Sequence, residues 1–263
     1  MPILYIVGTP IGNLEDISLR ALRILGEVDF ILCEDTRVTR KLLDKYNIKT
    51  PTVSFHQHSD EKETAKIIGY LENDKSLALV ADAGTPGISD PGGKLVEKVL
   101  EKFRDKVKIE SVPGPSAVTA ALSISGLPTD KFIFMGFPPH KKGRQKFIEK
   151  IFRSEYPAVV YESKHRIIKF LEELRELNKK INSDFVEESK NKPRSRWQKQ
   201  NFPFHAKEES LPLAPRLLQS IVVCRELSKM HETVYRGDID YIINKIKESK
   251  DDQKGEFVVI IGK

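Results

Sequence analysis

The first half of the chain alternates short, unbroken apolar runs with longer stretches in which apolar residues recur every three to four positions. The runs at 3–7 (Ile3-Leu4-Tyr5-Ile6-Val7), 28–33, 76–81 and 107–112 predict strands, and the stretches at 18–26, 36–45, 60–73 and 92–103 predict helices. Strands that are apolar on both faces, each followed by a helix, predict a parallel sheet covered on both sides. At Val112-Pro113-Gly114-Pro115 neither element type can continue, which divides the chain into domains at 1–114 and 115–263. A helix over about 115–125 opens with Pro115 in its first turn and stops near Gly126. Strands follow at 131–136, 157–161, 220–225, 233–235 and 256–261, with helices at 144–153, 165–178 and 238–248. The second half has more strands per helix and some short connections, which predicts a mixed sheet. The fold class is α/β in two domains, an N-terminal mainly parallel sheet and a C-terminal mixed one.

Residues 182–219 break this rhythm. Lys190, Lys192, Arg194, Arg196 and Lys199 crowd together with Trp197, Phe202 and Phe204 interleaved, and Pro193, Pro203, Pro212 and Pro215 prevent a long helix. The stretch reads as a basic insertion, and there are no internal repeats.

With 263 residues the chain has room for one large or two small domains with real cores. A formal net charge of +6 permits an acidic partner such as RNA without demanding one. Cys33 and Cys224 sit inside apolar runs and read as buried thiols in a reducing compartment. The cysteines and histidines have no metal-site spacing, so no metal is expected. No stretch is long enough to span a bilayer, and no signal peptide precedes the first strand, so the expected location is cytoplasmic, away from membranes.

Polar clusters recur where predicted strands end. Gly8-Thr9-Pro10-Ile11-Gly12-Asn13-Leu14 suits a tight strand-to-helix turn, and it matches neither the Walker loop nor the dinucleotide fingerprint. Glu34-Asp35-Thr36-Arg37 places carboxylates where they can bind or take protons. Asp35 or Thr36 as a helix cap is the plainer reading, and it leaves Glu34 and Arg37 unexplained. His56-Gln57-His58-Ser59 lacks a third metal ligand and reads as a hydrogen-bonding loop, with substrate contact as the alternative. In Asp82–Gly93, Asp82 can accept hydrogen bonds from a ligand, and Gly84 and Gly87 permit close backbone approach. Pro113-Gly114-Pro115-Ser116-Ala117 leaves free N–H groups at a helix start. Tyr161-Glu162-Ser163-Lys164-His165-Arg166 and Arg225-Glu226-Leu227 complete the set, with a charged helix start and a surface ion pair as their plainer readings. Singly, each has an ordinary explanation. Jointly, they place polar groups along one sheet edge and predict a ligand cleft between the domains.

Thr9–Leu14, Glu34–Arg37, Asp82–Pro86, Pro113–Ser116, Gly136-Phe137-Pro138, Tyr161–Ser163 and Arg225–Leu227 occur in this order. Together they resemble the small-subunit ribosomal RNA methyltransferases of the tetrapyrrole methylase superfamily, over 3–178 and 220–262. The resemblance implies two α/β domains, S-adenosylmethionine folded between them, and a homodimer. It implies methylation of a cytidine ribose 2′-hydroxyl in the decoding region of 16S rRNA, naked or in the small ribosomal subunit. It places Ile11, Asp82, Thr85, Ser116 and Ala117 at the cofactor, and Tyr161, Leu227 and Gly255 there on a looser match. On the RNA side it places Glu34, Asp35, Arg37, Glu162 and Arg225, which are the candidate catalytic residues. Asn13, His56, His58 and Arg166 join them as candidate substrate contacts. Glu34, Asp35 and Glu162 are the candidate bases, while Arg37 and Arg225 are suited to stabilise a developing alkoxide.

Two departures stand out. The family usually continues past the strand matching 255–261 into a small helical domain, and 182–219 is longer than the turn expected there. The basic and aromatic residues of that stretch suit contact with RNA phosphates and bases, or decorate the surface. A tetrapyrrole methyltransferase and a non-catalytic RNA-binding assembly factor are the competing functions. Lys141-Lys142-Gly143-Arg144 and 190–199 favour RNA over a tetrapyrrole, and the intact Asp82–Pro86 and Pro113–Ser116 loops speak against an assembly factor.

Overall fold

A computed structural model describes residues 1–56, 61–90, 92–191, 218 and 220–262, without the side chains of 61, 62 and 184–191. The chain divides into two compact units, Met1–Ala120 and Ala121–Lys263.

In the first unit, β1 (Ile3–Val7), β2 (Phe30–Cys33), β3 (Thr52–Ser54), β4 (Leu77–Val80) and β5 (Lys108–Val112) form one sheet in the order β3-β2-β4-β1-β5. Every pair in it is parallel. The helices α1 (Leu19–Glu27), α2 (Thr36–Lys45), α3 (Glu61–Glu72) and α4 (Gly92–Phe103) supply the crossovers that parallel strands require. Successive strand residues face opposite sides. Ala78 and Val80 of β4 share a core with Ala21, Leu25 and Leu43 of α1 and α2. Leu77 and Leu79 share another with Ile67, Leu71, Leu95 and Val99 of α3 and α4. Both faces are therefore apolar, which is why the strand runs are unbroken in the sequence. Full burial of each such Leu or Val stabilises the unit by about 1.5–3 kcal/mol. Ser18 caps α1 by accepting from Ala21 N–H, and Asp35 caps α2 by accepting from Arg37 N–H.

Helix α5 (Ala117–Ser125) crosses the division between units. The second unit then contains β6 (Ile133–Phe134), α6 (Arg144–Arg153), β7 (Ala158–Ser163), α7 (Ile167–Asn191), β8 (Ser220–Arg225), β9 (Thr233–Gly237), α8 (Ile239–Glu248) and β10 (Glu256–Gly262). Its sheet runs β6-β7-β10-β8-β9, with β6 parallel to β7 and the remaining pairs antiparallel. One core joins Ala158, Val160, Val223 and Val259 of the sheet to Phe152, Phe170, Leu174 and Ile243 of the helices.

Element boundaries depart from expectation in three places. The helix expected at 165–178 runs on to Asn191, so the first ten positions of the expected insertion are helical. The rest of the insertion, 192–217 and 219, lies outside the described residues. Strand β6 is only two residues long, and β2 starts at Phe30 because Val28 still closes α1 with a bond to Ile24 O.

The loops that leave β1 and β5 meet backbone to backbone. A Cβ added at Gly114 would lie 2.6 Å from Gly8 O, and one added at Gly8 would lie 2.8 Å from Gly114 N. Neither neighbour is a side chain that can swing away. Gly114→Ala is expected to destabilise the protein by about 1–3 kcal/mol in chemical denaturation, as overpacked cores do. Gly69→Ala, mid-helix with open space around the added methyl, is expected to gain about 0.5–1 kcal/mol in the same experiment.

Candidate functional site

Four loops of the first unit are tied together at the C-terminal edge of its sheet. The buried Thr9 hydroxyl donates to Ala81 O at 3.0 Å and lies 3.3 Å from Gly84 O. Thr9 and Gly84 also exchange backbone bonds of 2.9 and 3.1 Å. The β1 loop is thereby fixed to the β4 loop. Gly84 has φ +82°, and a methyl added there would fill the space beside Ile11 Cγ2 (3.6 Å) and Pro115 O (3.8 Å). The Thr85 hydroxyl reaches Pro115 O at 3.4 Å, next to Ser116 and Ala117 at the start of α5. Asp82 accepts the Asp35 N–H at 3.0 Å, which adds the β2 loop. Asp90 Oδ1 accepts from Gly87 N and Gly92 N, both at 2.7 Å, and folds the Asp82–Gly93 loop onto the first turn of α4. Ile11, Asp82, Thr85, Ser116 and Ala117 thus belong to one locked assembly.

Two adjacent carboxylates in that assembly are driven in opposite directions. Asp35 caps α2 and grips Arg37 with both oxygens (3.0 and 2.7 Å), which holds its carboxyl down at about 2. Burial, reinforced by the like charges of Asp82 and Asp90, pushes the Glu34 carboxyl up, with His56 pulling the other way. The cap reading of Asp35 holds, and Arg37 is explained as its partner. Asn13 caps the single turn Leu14–Asp16 by accepting from Glu15 N at 3.1 Å. His56 is exposed. His58 lies outside the described residues.

In the second unit the same edge logic holds for a different reason. β10 runs antiparallel to β7 and β8, so its start at Glu256 pairs with Ser163, and Phe257 pairs with Arg225. Gly255 and Leu227 are thereby brought to the edge where Tyr161, Glu162 and Arg166 lie. Gly255 has φ +98°, and a methyl there would lie 2.5 Å from the Glu226 side chain, whose Oε1 accepts Glu256 N–H at 2.8 Å.

Residues 3–187 match the family of tetrapyrrole (corrin/porphyrin) methylases. The ribosomal RNA small subunit methyltransferase I of Thermotoga maritima is 36% identical over 98% of this chain and 97% of its own length. The protein of that name from Vibrio cholerae is 37% identical over 99% of this chain and 77% of its own. The chain belongs to the ribosomal RNA small subunit methyltransferase I family of tetrapyrrole methylases. Solved structures agree on the fold. A diphthine synthase matches at TM-score 0.64 with 15% identity over 99% of this chain and 90% of that one. A uroporphyrin-III-C-methyltransferase from Thermus thermophilus matches at 0.57 with 17% identity, over 99% and 94%.

Within this tetrapyrrole methylase, three expectations about side chains need correction. Glu162 was expected to face RNA as a candidate base, yet its side chain has no exposure. Oε1 takes Ser163 N–H at 2.7 Å and Arg166 Nη2 at 2.8 Å, and Arg144 Nη1 lies 3.5 Å from Oε2. Arg225, whose plainer reading was a surface ion pair, is 6% exposed. It donates to the backbone carbonyls of Asp251, Lys254 and His231 and pairs with Asp252, so it ties the loop before β10 to the loop after β8 instead of reaching outward. Arg144 was part of a basic stretch favouring RNA; it is 5% exposed and turned inward onto Glu173 (2.7 Å) and Pro139 O (3.2 Å). Leu227 is also buried.

Sequence reasoning passed over Thr9, Gly8, Gly114 and Asp90 as site-forming residues. Thr9 stands in the sequence as one polar residue of a turn motif, and nothing in its neighbourhood announces a buried hydroxyl aimed at two carbonyls. Asp90 carried a weak signal, an acid just ahead of the Gly92-Gly93 helix start. Cys33 and Cys224 are buried free thiols, pushed up by burial, Cys224 to about 11. No helix among the described residues is long and apolar enough to cross a membrane.

Neutral replacements of the two buried-side carboxylates are expected to act with opposite signs. Glu34 titrates above its ordinary 4.5 in the folded chain. Its ionised form therefore opposes folding fully above the raised value, and this cost vanishes below about pH 4.5, where both states are protonated. Glu34→Gln is expected to raise Tm at pH 8, with the difference closing toward pH 4. Glu162→Gln leaves the Arg166 guanidinium without its carboxylate partner, while Arg144 keeps Glu173, and is expected to cost about 3–5 kcal/mol by chemical denaturation.

Proposed function

We propose that this chain transfers a methyl group from S-adenosylmethionine to the 2′-hydroxyl of a cytidine ribose in the decoding region of 16S rRNA, in the cytoplasm and as a homodimer. The observation that carries the reading is the locked loop assembly at the sheet edge of the first unit. Its backbone is immobilised by Thr9 and Asp90, and Gly84, at φ +82°, keeps the backbone between Ile11 and Pro115 bare of a side chain. Such a cradle suits a small ligand that needs close backbone approach. Asp82 spends one oxygen on Asp35 N–H while the residue stays exposed. It is placed to accept from an amine or hydroxyl of the cofactor, beside Ile11, Thr85 and the first N–H groups of α5 at Ser116 and Ala117. The relatives at 36–37% identity over nearly the whole chain carry ribosomal RNA in their names, which favours RNA over a tetrapyrrole. The solved uroporphyrin-III-C-methyltransferase, at 17% identity, speaks only for the fold.

When bound, the cofactor supplies an electrophilic methyl on a sulfonium. The chain's task is then alignment and proton handling. Well-oriented intramolecular reactions gain up to about 7–11 kcal/mol from positioning alone. A ribose hydroxyl is a poor nucleophile until it sheds its proton, and Glu34 is the carboxylate suited to take it. Its proton affinity is raised toward the working pH, where a base is most effective. Asp35 is unsuited, held well down by Arg37. Arg37, its side chain 87% exposed at the Asp35 pair, is free on its outer side to meet the developing negative charge.

Unmodified small subunits and naked 16S rRNA, incubated separately with labelled cofactor, are expected to yield labelled 2′-O-methylcytidine in nucleoside mass spectrometry. Label on a base, or on no RNA at all, overturns the assignment. Glu34→Gln is expected to lower kcat by about 10²–10⁴ while cofactor affinity, measured by calorimetry, stays at the parent level. An unchanged kcat would remove Glu34 from the role of base.

A further inference from the structure

The Gly136-Phe137-Pro138 motif has no part in the chemistry above, yet the second unit spends its most costly interactions on it. Arg144, Glu162 and Arg166 form a cluster with side chains 6%, 0% and 17% exposed. Withdrawing each ion from water costs several kcal/mol. The cluster does not present a charge to solvent. Its outer donors end on the loop between β6 and α6: Arg166 Nη1 donates to Pro138 O at 3.0 Å and Arg144 Nη1 to Pro139 O at 3.2 Å. On the other side of Phe137, Tyr161 N donates to Gly136 O at 3.0 Å, and Gly136 takes φ +65°. The backbone around Phe137 is therefore clamped before and after the ring.

What this clamp presents is an aromatic surface. Phe137 is 52% exposed. Its ring lies 5.4 Å from that of Tyr161, which in turn packs edge-on against Phe134 at 4.9 Å. A flexible exposed phenylalanine would need no anchoring; a rigid one is a platform. The charge of the loop itself has one sign. Residues 136–148 contain no Asp or Glu, and Lys141 and Lys142 are exposed. Lys164, also exposed, comes from the β7–α7 loop that Arg166 joins to this one. The two acids of the cluster, Glu162 and Glu173, are taken up by Arg166 and Arg144.

We propose that Phe137 is a stacking platform for an unpaired base of the RNA substrate, with Lys141, Lys142 and Lys164 on the adjoining phosphates. The proposal rests on the RNA reading of the function and extends it to a second surface. Planar apolar contact plus phosphate-seeking cations is how proteins hold single-stranded nucleic acid.

The test compares wild type, Phe137→Ala and Phe137→Trp in three measurements: anisotropy with a labelled single-stranded RNA of decoding-region sequence, calorimetry with the cofactor, and methyl transfer to small subunits. Phe137→Ala is expected to weaken RNA binding about 5- to 150-fold and to raise KM. Cofactor affinity, Tm and oligomeric state stay at the wild-type level, and Phe137→Trp restores binding. Lys141→Ala is expected to lower the slope of log affinity against log salt by about one. Equal RNA affinity in Phe137→Ala overturns the platform, as does a loss confined to the cofactor or a change in oligomeric state. If wild type methylates RNA and Phe137→Ala matches it, the platform alone fails. If wild type methylates no RNA, the functional reading fails and the platform with it.

Discussion

The contact on which the first unit's site depends is the one between Gly8 and Gly114. Two backbones approach so closely that neither position has room for a methyl. That approach fixes the ends of β1 and β5, which are neighbours in the sheet. Once they are fixed, Thr9 is held where its hydroxyl can reach Ala81 O, and the β4 loop is drawn in through Gly84. Pro115, one residue beyond Gly114, is then in place to accept from Thr85. The order of dependence matters. A parallel sheet guarantees only that strand ends share an edge. It does not guarantee that four loops leaving that edge hold one another, and without mutual bonds they would sample many conformations at a large entropic cost to any ligand.

The electrostatics show how one edge separates structural from reactive carboxylates. Asp35 is satisfied three times by Arg37, through its backbone N–H and two side-chain nitrogens. Its proton affinity falls accordingly. Glu34, one residue earlier, is partly buried and feels the like charges of Asp82 and Asp90, which outweigh the pull of His56. The difference is one of neighbours, not of residue type. In the second unit Glu162 takes the opposite extreme, fully buried and neutralised by arginines. An acid at a strand end is thus an ambiguous sign: the same pattern in sequence serves a cap, a carboxylate of raised proton affinity and a buried strut.

Fold and site were legible to different depths for the same reason. Strand and helix positions follow from local periodicity, which the sequence displays openly in runs such as Leu77–Val80. The parallel and mixed sheets followed from the alternation of those elements. The edge that gathers Ile11, Asp82, Thr85 and Ser116 followed too, because topology alone delivers it. What could not be read was which way a polar side chain turns. Arg144 and Lys142 are two residues apart in one basic stretch, yet one is buried against Glu173 and the other is exposed. Arg225 looked like a surface charge and instead satisfies three carbonyls of loops far along the chain. The contacts with Asp251 and Lys254 span 26 and 29 residues in sequence, and no window of local pattern contains both partners. The long α7 was missed differently, since Pro193, Pro203, Pro212 and Pro215 argue against a long helix anywhere in 182–219.

The second unit reaches a comparable edge by another route, and this bears on how its charge is used. β10 enters the sheet centre antiparallel to both neighbours. Its first residues therefore meet the last residues of β7 and β8, and the loops there carry Arg225, Glu226 and Gly255 in close packing. Glu226 and Ser228 take positive φ, at 53° and 64°, a conformation that costs non-glycine residues about 1–3 kcal/mol each. Arg225 and the Lys229 pairs with Glu226 and Glu256 hold that backbone in place. On the β6 side, the buried arginines do the same for the loop carrying Phe137. In both places fixed charge is spent on backbone carbonyls or loop carboxylates and leaves a rigid loop behind. Rigidity obtained this way suits recognition of a flexible polymer, because whatever order the protein supplies in advance need not be supplied on binding. A buried ion cluster that only filled space would be replaceable by apolar side chains of equal volume at little or no loss of stability. Its donors would then have no reason to converge on the two carbonyls that follow an exposed aromatic ring.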